Sequence, residues 1–102
     1  MNVREILDEK IKSAKELIKK NEPNILKFLC DLIKIPSLSG SETHIVTRIK
    51  KEMVKCLFDN VYIVRIGNII GRIGNGRKII LIETYIDIVD ILAPSLWSTD
   101  PF

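Results

Sequence analysis

The chain is poor in the residue types from which most catalytic and binding sites are made. It has one histidine, two cysteines, one tryptophan, two tyrosines and three phenylalanines. His44 has no cysteine or aspartate beside it at metal-ligand spacing, so it reads as a surface residue at the head of a helix. Two cysteines are too few for a disulfide scaffold. Cys30 and Cys56 both sit inside apolar helical patterns and are expected to be buried thiols. No run of about 18 apolar residues occurs, which excludes a helical membrane span. The opening Met1-Asn2-Val3-Arg4-Glu5 lacks an apolar segment of signal-peptide type, and the default expectation is a cytoplasmic protein. Charge of one sign is also scarce: 16 Lys and Arg stand against 13 Asp and Glu, a net +3. The lysines alternate with acids along helical segments, and no aromatics interleave with a basic stripe. Neither nucleic acid nor membrane is therefore expected as a partner.

What remains is ordinary globular material, 46% apolar and 28% charged over 102 residues. That length suits one small domain, which would bury roughly two thirds of its unfolded surface. Val3, Ile6, Leu7, Ile11, Ala14, Leu17 and Ile18 recur at helical spacing, and Asn2 with Glu5 resembles a capping box. This predicts a first helix ending near Lys20. Asn21-Glu22-Pro23 should break it, with Pro23 opening a second helix that buries Ile25, Leu26, Phe28, Leu29, Leu32 and Ile33 before Pro36. Ser37-Leu38-Ser39-Gly40-Ser41 is a polar loop with no base placed to make a nucleophile of its serines. Ser41 is the expected N-cap of a third helix reaching about Leu57, with Ile45, Ile49, Met53 and Cys56 or Leu57 on its inner face.

The period then changes. Val61 to Arg65 and Ile69 to Ile73 read as strands joined by a Gly67-Asn68 turn, and Gly74-Asn75-Gly76 makes another turn. Ile79-Ile80-Leu81-Ile82 is apolar at every position and predicts a central strand covered on both faces. Gly71, Gly74 and Gly76 lead into no helix, so they form turns rather than a phosphate-binding loop. The tail after Pro94 is irregular, with Trp97 and Phe102 as its anchors.

Several of these segments, in this order, carry a resemblance. Phe28 to Ser37, an apolar helix ending in Ile35-Pro36-Ser37, is similar to the opening of the acetylornithine deacetylase and succinyl-diaminopimelate desuccinylase family. Ser39-Gly40-Ser41-Glu42 resembles that family's following loop, and Gly67-Asn68-Ile69-Ile70-Gly71 its G-N-V-x-G strand. Ile79 to Val89 falls where the family carries a strand ending in G-H-x-D-x-V, and Trp97 to Phe102 resembles a W-x-x-x-P-F stretch beyond it. The resemblance covers about Glu22 to Phe102.

It implies a dinuclear zinc amide hydrolase. The family's signature histidine binds zinc, and the aspartate two residues later orients that imidazole. Here Asp87 matches the aspartate, Tyr85 the histidine and Thr84 the glycine. A phenol must lose a proton near pH ~10 before it can ligate, so Tyr85 is a poor zinc ligand and reads as an aromatic filling the former site. Glu83, Asp87 and Asp90 do not share one strand face and make no substitute metal site. The bridging aspartate, the glutamate base and the later ligands have no counterparts in this sequence.

The expected fold is α/β: two or three helices on a small mixed sheet, a hairpin plus an apolar third strand, as the incomplete catalytic domain of a zinc exopeptidase-like fold. Residues 1-21 would form an extra N-terminal helix and residues 22-102 a partial catalytic domain. Asp87 is the one site residue carried over by the resemblance, and no cofactor is expected for this chain although the family uses zinc. The expected identity is a truncated, degenerate hydrolase homologue without activity alone. A split enzyme completed by a downstream chain, or a non-catalytic interaction module that self-associates, stand as alternatives.

Overall fold

The structure is a computed structural model, and it describes residues 1–38, 40–87 and 94–100. Helix α1 runs from Val3 to Ile33 and helix α2 from Thr43 to Lys55. Strands β1 (Asn60–Ile63) and β2 (Ile69–Arg72) form an antiparallel hairpin, and a short 3₁₀ turn covers Pro94–Leu96. This is a small mixed α/β arrangement. The chain divides into two compact units, Met1–Asp31 and Leu32–Phe102.

The first unit is α1 up to Asp31. Its start is capped as the sequence suggested: the Glu5 N–H donates to Asn2 Oδ1 at 2.8 Å, and the Ile6 N–H to the Asn2 carbonyl at 3.1 Å. The expected break at Pro23 does not occur, because α1 passes through it as a single 31-residue helix. Proline removes the N–H that the Lys19 carbonyl would accept. Lys19 is exposed, so that carbonyl has water to turn to, and one turn earlier the Asn21 side-chain amide donates to the Leu17 carbonyl at 2.8 Å. No residue of α1 is buried, against the expected burial of its apolar face. Cys30 is exposed rather than buried.

The second unit is built on α2 and the hairpin. Glu42, not Ser41, is the N-cap; its carbonyl accepts the Val46 N–H at 2.9 Å, while its carboxylate turns back to the Gly40 N–H at 3.0 Å. Ile45 and Val46 are the buried apolar side chains among the described residues. At its far end α2 closes in a Schellman motif: Phe58 N–H to Met53 carbonyl and Leu57 N–H to Val54 carbonyl, both at 3.1 Å. The residue that motif places in left-handed backbone is Leu57, at φ 62°, where glycine is usual. Cys56, just before it, is also exposed, a second correction to the buried-thiol expectation.

The hairpin follows the sequence signal closely. Asn60 pairs with Arg72, Val61 with Gly71, Tyr62 with Ile70 and Ile63 with Ile69. Gly67, at φ 99°, turns the chain and donates its N–H to the Val64 carbonyl at 2.8 Å. Val61, Ile69 and Gly71 are the half-covered hairpin positions, and both strands contact α2. A Cβ on Gly71 would lie 2.6 Å from Phe58 Cδ2 and 2.9 Å from Met53 Sδ. Gly71 is therefore required by close packing, not by turn geometry. Asp59 ties the open end: it donates its N–H to the Arg72 carbonyl at 2.9 Å, and its carboxylate accepts the Gly74 N–H at 2.6 Å.

The expected third strand is absent. Ile79, Ile80, Leu81 and Ile82 form no ladder and are 77% to 88% exposed, not covered on both faces. An apolar run becomes a strand only when another strand satisfies its backbone groups, and among the described residues the ladder pairs β1 with β2 alone.

Candidate functional site

The resemblance assigns its chemistry to the stretch around Tyr85 and Asp87. The element that positions this stretch is Ser37. Its residue is completely buried, and its hydroxyl donates to the Ile86 carbonyl at 3.1 Å. Pro36 fixes the backbone just before it, after the end of α1, so the small hydroxyl is delivered at a set point. A loop serine is thus tied, across 49 residues of sequence, to the carbonyl between Tyr85 and Asp87.

Ile86 and Asp87 are half-buried at this tie. Tyr85 is 85% exposed, so it does not fill a former metal site as the sequence suggested. The tie holds the neighbouring Ile86 by its backbone, which places no demand on where the phenol goes. Glu83 and Thr84 are exposed, and the Thr84 hydroxyl donates only to the adjacent Tyr85 carbonyl, at 3.3 Å. Asp90, Pro101 and Phe102 lie outside the described residues, as does Ser39.

The remaining sequence candidates stay apart from one another. His44 is exposed in the first turn of α2. Ser41 is exposed, its N–H given to the Leu38 carbonyl at 2.8 Å. Cys30 and Cys56 form no disulfide, and the Cys56 thiol donates to Glu52 Oε1 at 4.0 Å at the end of α2. On the flank of α2, Arg48 and Glu52 form an ion pair at 2.9 Å one helical turn apart, a structural contact worth a few tenths of a kcal/mol, about 0.3–0.5.

Zinc hydrolysis needs about three protein ligands and an open water position. Among the described residues no three histidine, cysteine, aspartate or glutamate side chains converge to hold an ion. The described residues therefore form no zinc site of the kind the resemblance would bring. No described helix is long and apolar enough to cross a membrane.

The chain matches no known family model, and no solved structure is significantly similar to it. Among curated proteins it is similar to the uncharacterized protein YgeY of Escherichia coli strain K12, 39% identical over 87 residues. The same identity and coverage hold for YgeY of Escherichia coli O157:H7. That stretch is 85% of this chain but 22% of the relative, so the chain spans about a fifth of the length of the curated proteins it matches.

The sequence missed the part Ser37 plays, reading it as one of three loop serines. The available signal was a small hydroxyl directly after proline at the end of an apolar helix. Its partner, a main-chain carbonyl 49 residues on, has no sequence signature at all.

Proposed function

We propose that this chain is an amino-terminal scaffold segment related to the zinc-dependent amide hydrolases, degenerate at its metal site and without hydrolytic activity alone. The observation that carries this reading is the Ser37–Ile86 hydrogen bond. It joins the Ile35-Pro36-Ser37 motif to the stretch around Asp87, two segments that resemble one family at two separate places. A buried serine holding the backbone beside a second-shell aspartate is what such a scaffold needs in order to aim a neighbouring ligand. In this chain the neighbouring position is Tyr85, which is exposed and is no neutral-pH zinc ligand. Asp87 keeps the place of the orienting carboxylate, while Tyr85 stands at the position that matches the histidine. A cytoplasmic setting belongs to the same proposal.

Hydrolysis of a panel of N-acyl amino acids, with zinc supplied, tests the reading. The chain alone should show none, and Tyr85→His should show none either, because one histidine and an orienting carboxylate do not make a catalytic site. Turnover by either protein without a partner chain would overturn it. If a second chain supplying the absent ligands restored turnover, the split-enzyme form of the proposal would hold instead.

The exposed run Ile79 to Ile82 favours a second reading, an interaction module. An unguarded apolar segment of this kind is a template for strand addition. Protection of these four amides from hydrogen exchange as protein concentration rises would support it, and unchanged exchange would remove it.

A further inference from the structure

We propose that α1 pairs with α1 of a second copy of this chain as an antiparallel two-helix coiled coil. Leu7, Ile11, Ala14, Ile18, Asn21, Ile25 and Phe28 repeat at alternating spacings of four and three, a seam sustained over three heptads. Isoleucine recurs at every other seam position, at 11, 18 and 25. No residue of the helix is buried within the chain, and the seam isoleucines Ile11, Ile18 and Ile25 are each about half exposed. The opposite face carries Asn2, Glu9, Glu16 and Cys30, and Pro23 falls on that same outer line. A proline there costs the helix a hydrogen bond on the side turned away from a partner, so the unbroken helix and the seam are compatible.

Charge selects the partner and its direction. Lys10 and Lys15 flank the seam on opposite sides, and a parallel pair would set Lys10 of one copy against Lys15 of the other, twice by symmetry. An antiparallel pair can instead set Ala14 against Ile25 and Ile18 against Asn21. In that register Lys15 of each copy meets Glu22 of the other, giving two attractive pairs. A shift of one heptad in one direction brings Lys15 onto Lys15 and Asp8 onto Glu22; a shift in the other brings Glu22 onto Glu22. Only the first register is complementary. It also places the bulk of Ile25 opposite the small Ala14. A second copy of this chain is thus the occupant that both the seam and its flanking charges describe.

Sedimentation of the full chain from micromolar to high-micromolar concentration tests the pairing. A monomer–dimer equilibrium is expected. Lys15→Glu and Glu22→Lys should each weaken the dimer roughly five- to ten-fold, since each turns two attractive pairs repulsive. An equimolar mixture of the two variants should restore the affinity, because every flanking pair is then opposite in sign. A parallel coil would respond with the opposite sign, Lys15→Glu tightening it by relieving the Lys10 contact. Ala14→Cys with Ile25→Cys, on a Cys30→Ser and Cys56→Ser background, should form an interchain disulfide. Those two positions lie about 16 Å apart along one helix, too far to bridge within a copy. A chain that stays monomeric throughout, a dimer indifferent to both charge reversals, or tightening by Lys15→Glu would each overturn the proposal.

Discussion

The two helices are both amphipathic, yet they do opposite things with their apolar residues. Helix α2, with 13 residues, buries Ile45 and Val46 and contacts both strands of the hairpin. Helix α1, with 31 residues and many more apolar side chains, buries none of them. The difference is not in the helices. Near α2 the chain supplies a surface shaped to receive it, with Gly71 left bare so that Phe58 and Met53 can approach. Amphipathic spacing states that a helix has a face to cover; it does not state that the same chain covers it.

If the contrast rests on that joint, filling the Gly71 position should abolish it. Gly71→Val is expected to destabilise the second unit by about 3 kcal/mol through overpacking against the Phe58 ring, seen as lost hairpin amide protection. The helix signal of α1 should survive in the far-ultraviolet circular dichroism, since its bonds are local. Ser37→Ala should cost somewhat less, about 1–3 kcal/mol, by leaving the Ile86 carbonyl without its donor. The discriminating readout is local: amide exchange of 86 and 87 should accelerate more than that of the β1–β2 ladder.

A still smaller change acts on the other side of the comparison. Asn2→Ala removes the acceptor of the Glu5 N–H and should reduce the stability of α1 by about 1 kcal/mol, read as fraying of its first turn. The smallest effect is a gain. Leu57→Gly relieves a left-handed residue in the Schellman closure of α2 and should stabilise that unit by about 0.5–1 kcal/mol in a denaturant titration. A loss there would mean that the exposed Leu57 side chain contributes more than its backbone costs.

Local features were legible in the sequence, and features that need a partner were not. The Asn2 cap, the Gly67-Asn68 turn and the antiparallel pairing of Val61 with Gly71 are set by residues close in the chain. The expected end of the first helix failed because a helix can carry a proline when the carbonyl it strips is exposed to water. Burial failed more widely. The apolar neighbours of Cys30 and Cys56 and the unbroken run from Ile79 to Ile82 point to the interior, yet all of these residues are exposed. Periodicity assigns a residue to a face, and only tertiary contacts decide whether that face is closed. At the candidate site, Asp87 and Tyr85 could be picked out from the resemblance, while the bond from Ser37 to the Ile86 carbonyl between them could not.

We propose, above all, that this chain is a hydrolase-related scaffold around Asp87 that does not hold the metal. Zinc analysis of the purified chain after exhaustive dialysis tests it most directly. The account expects no stoichiometric zinc, because Tyr85 is exposed and no three ligand side chains converge among the described residues. One tightly held zinc per chain would contradict it.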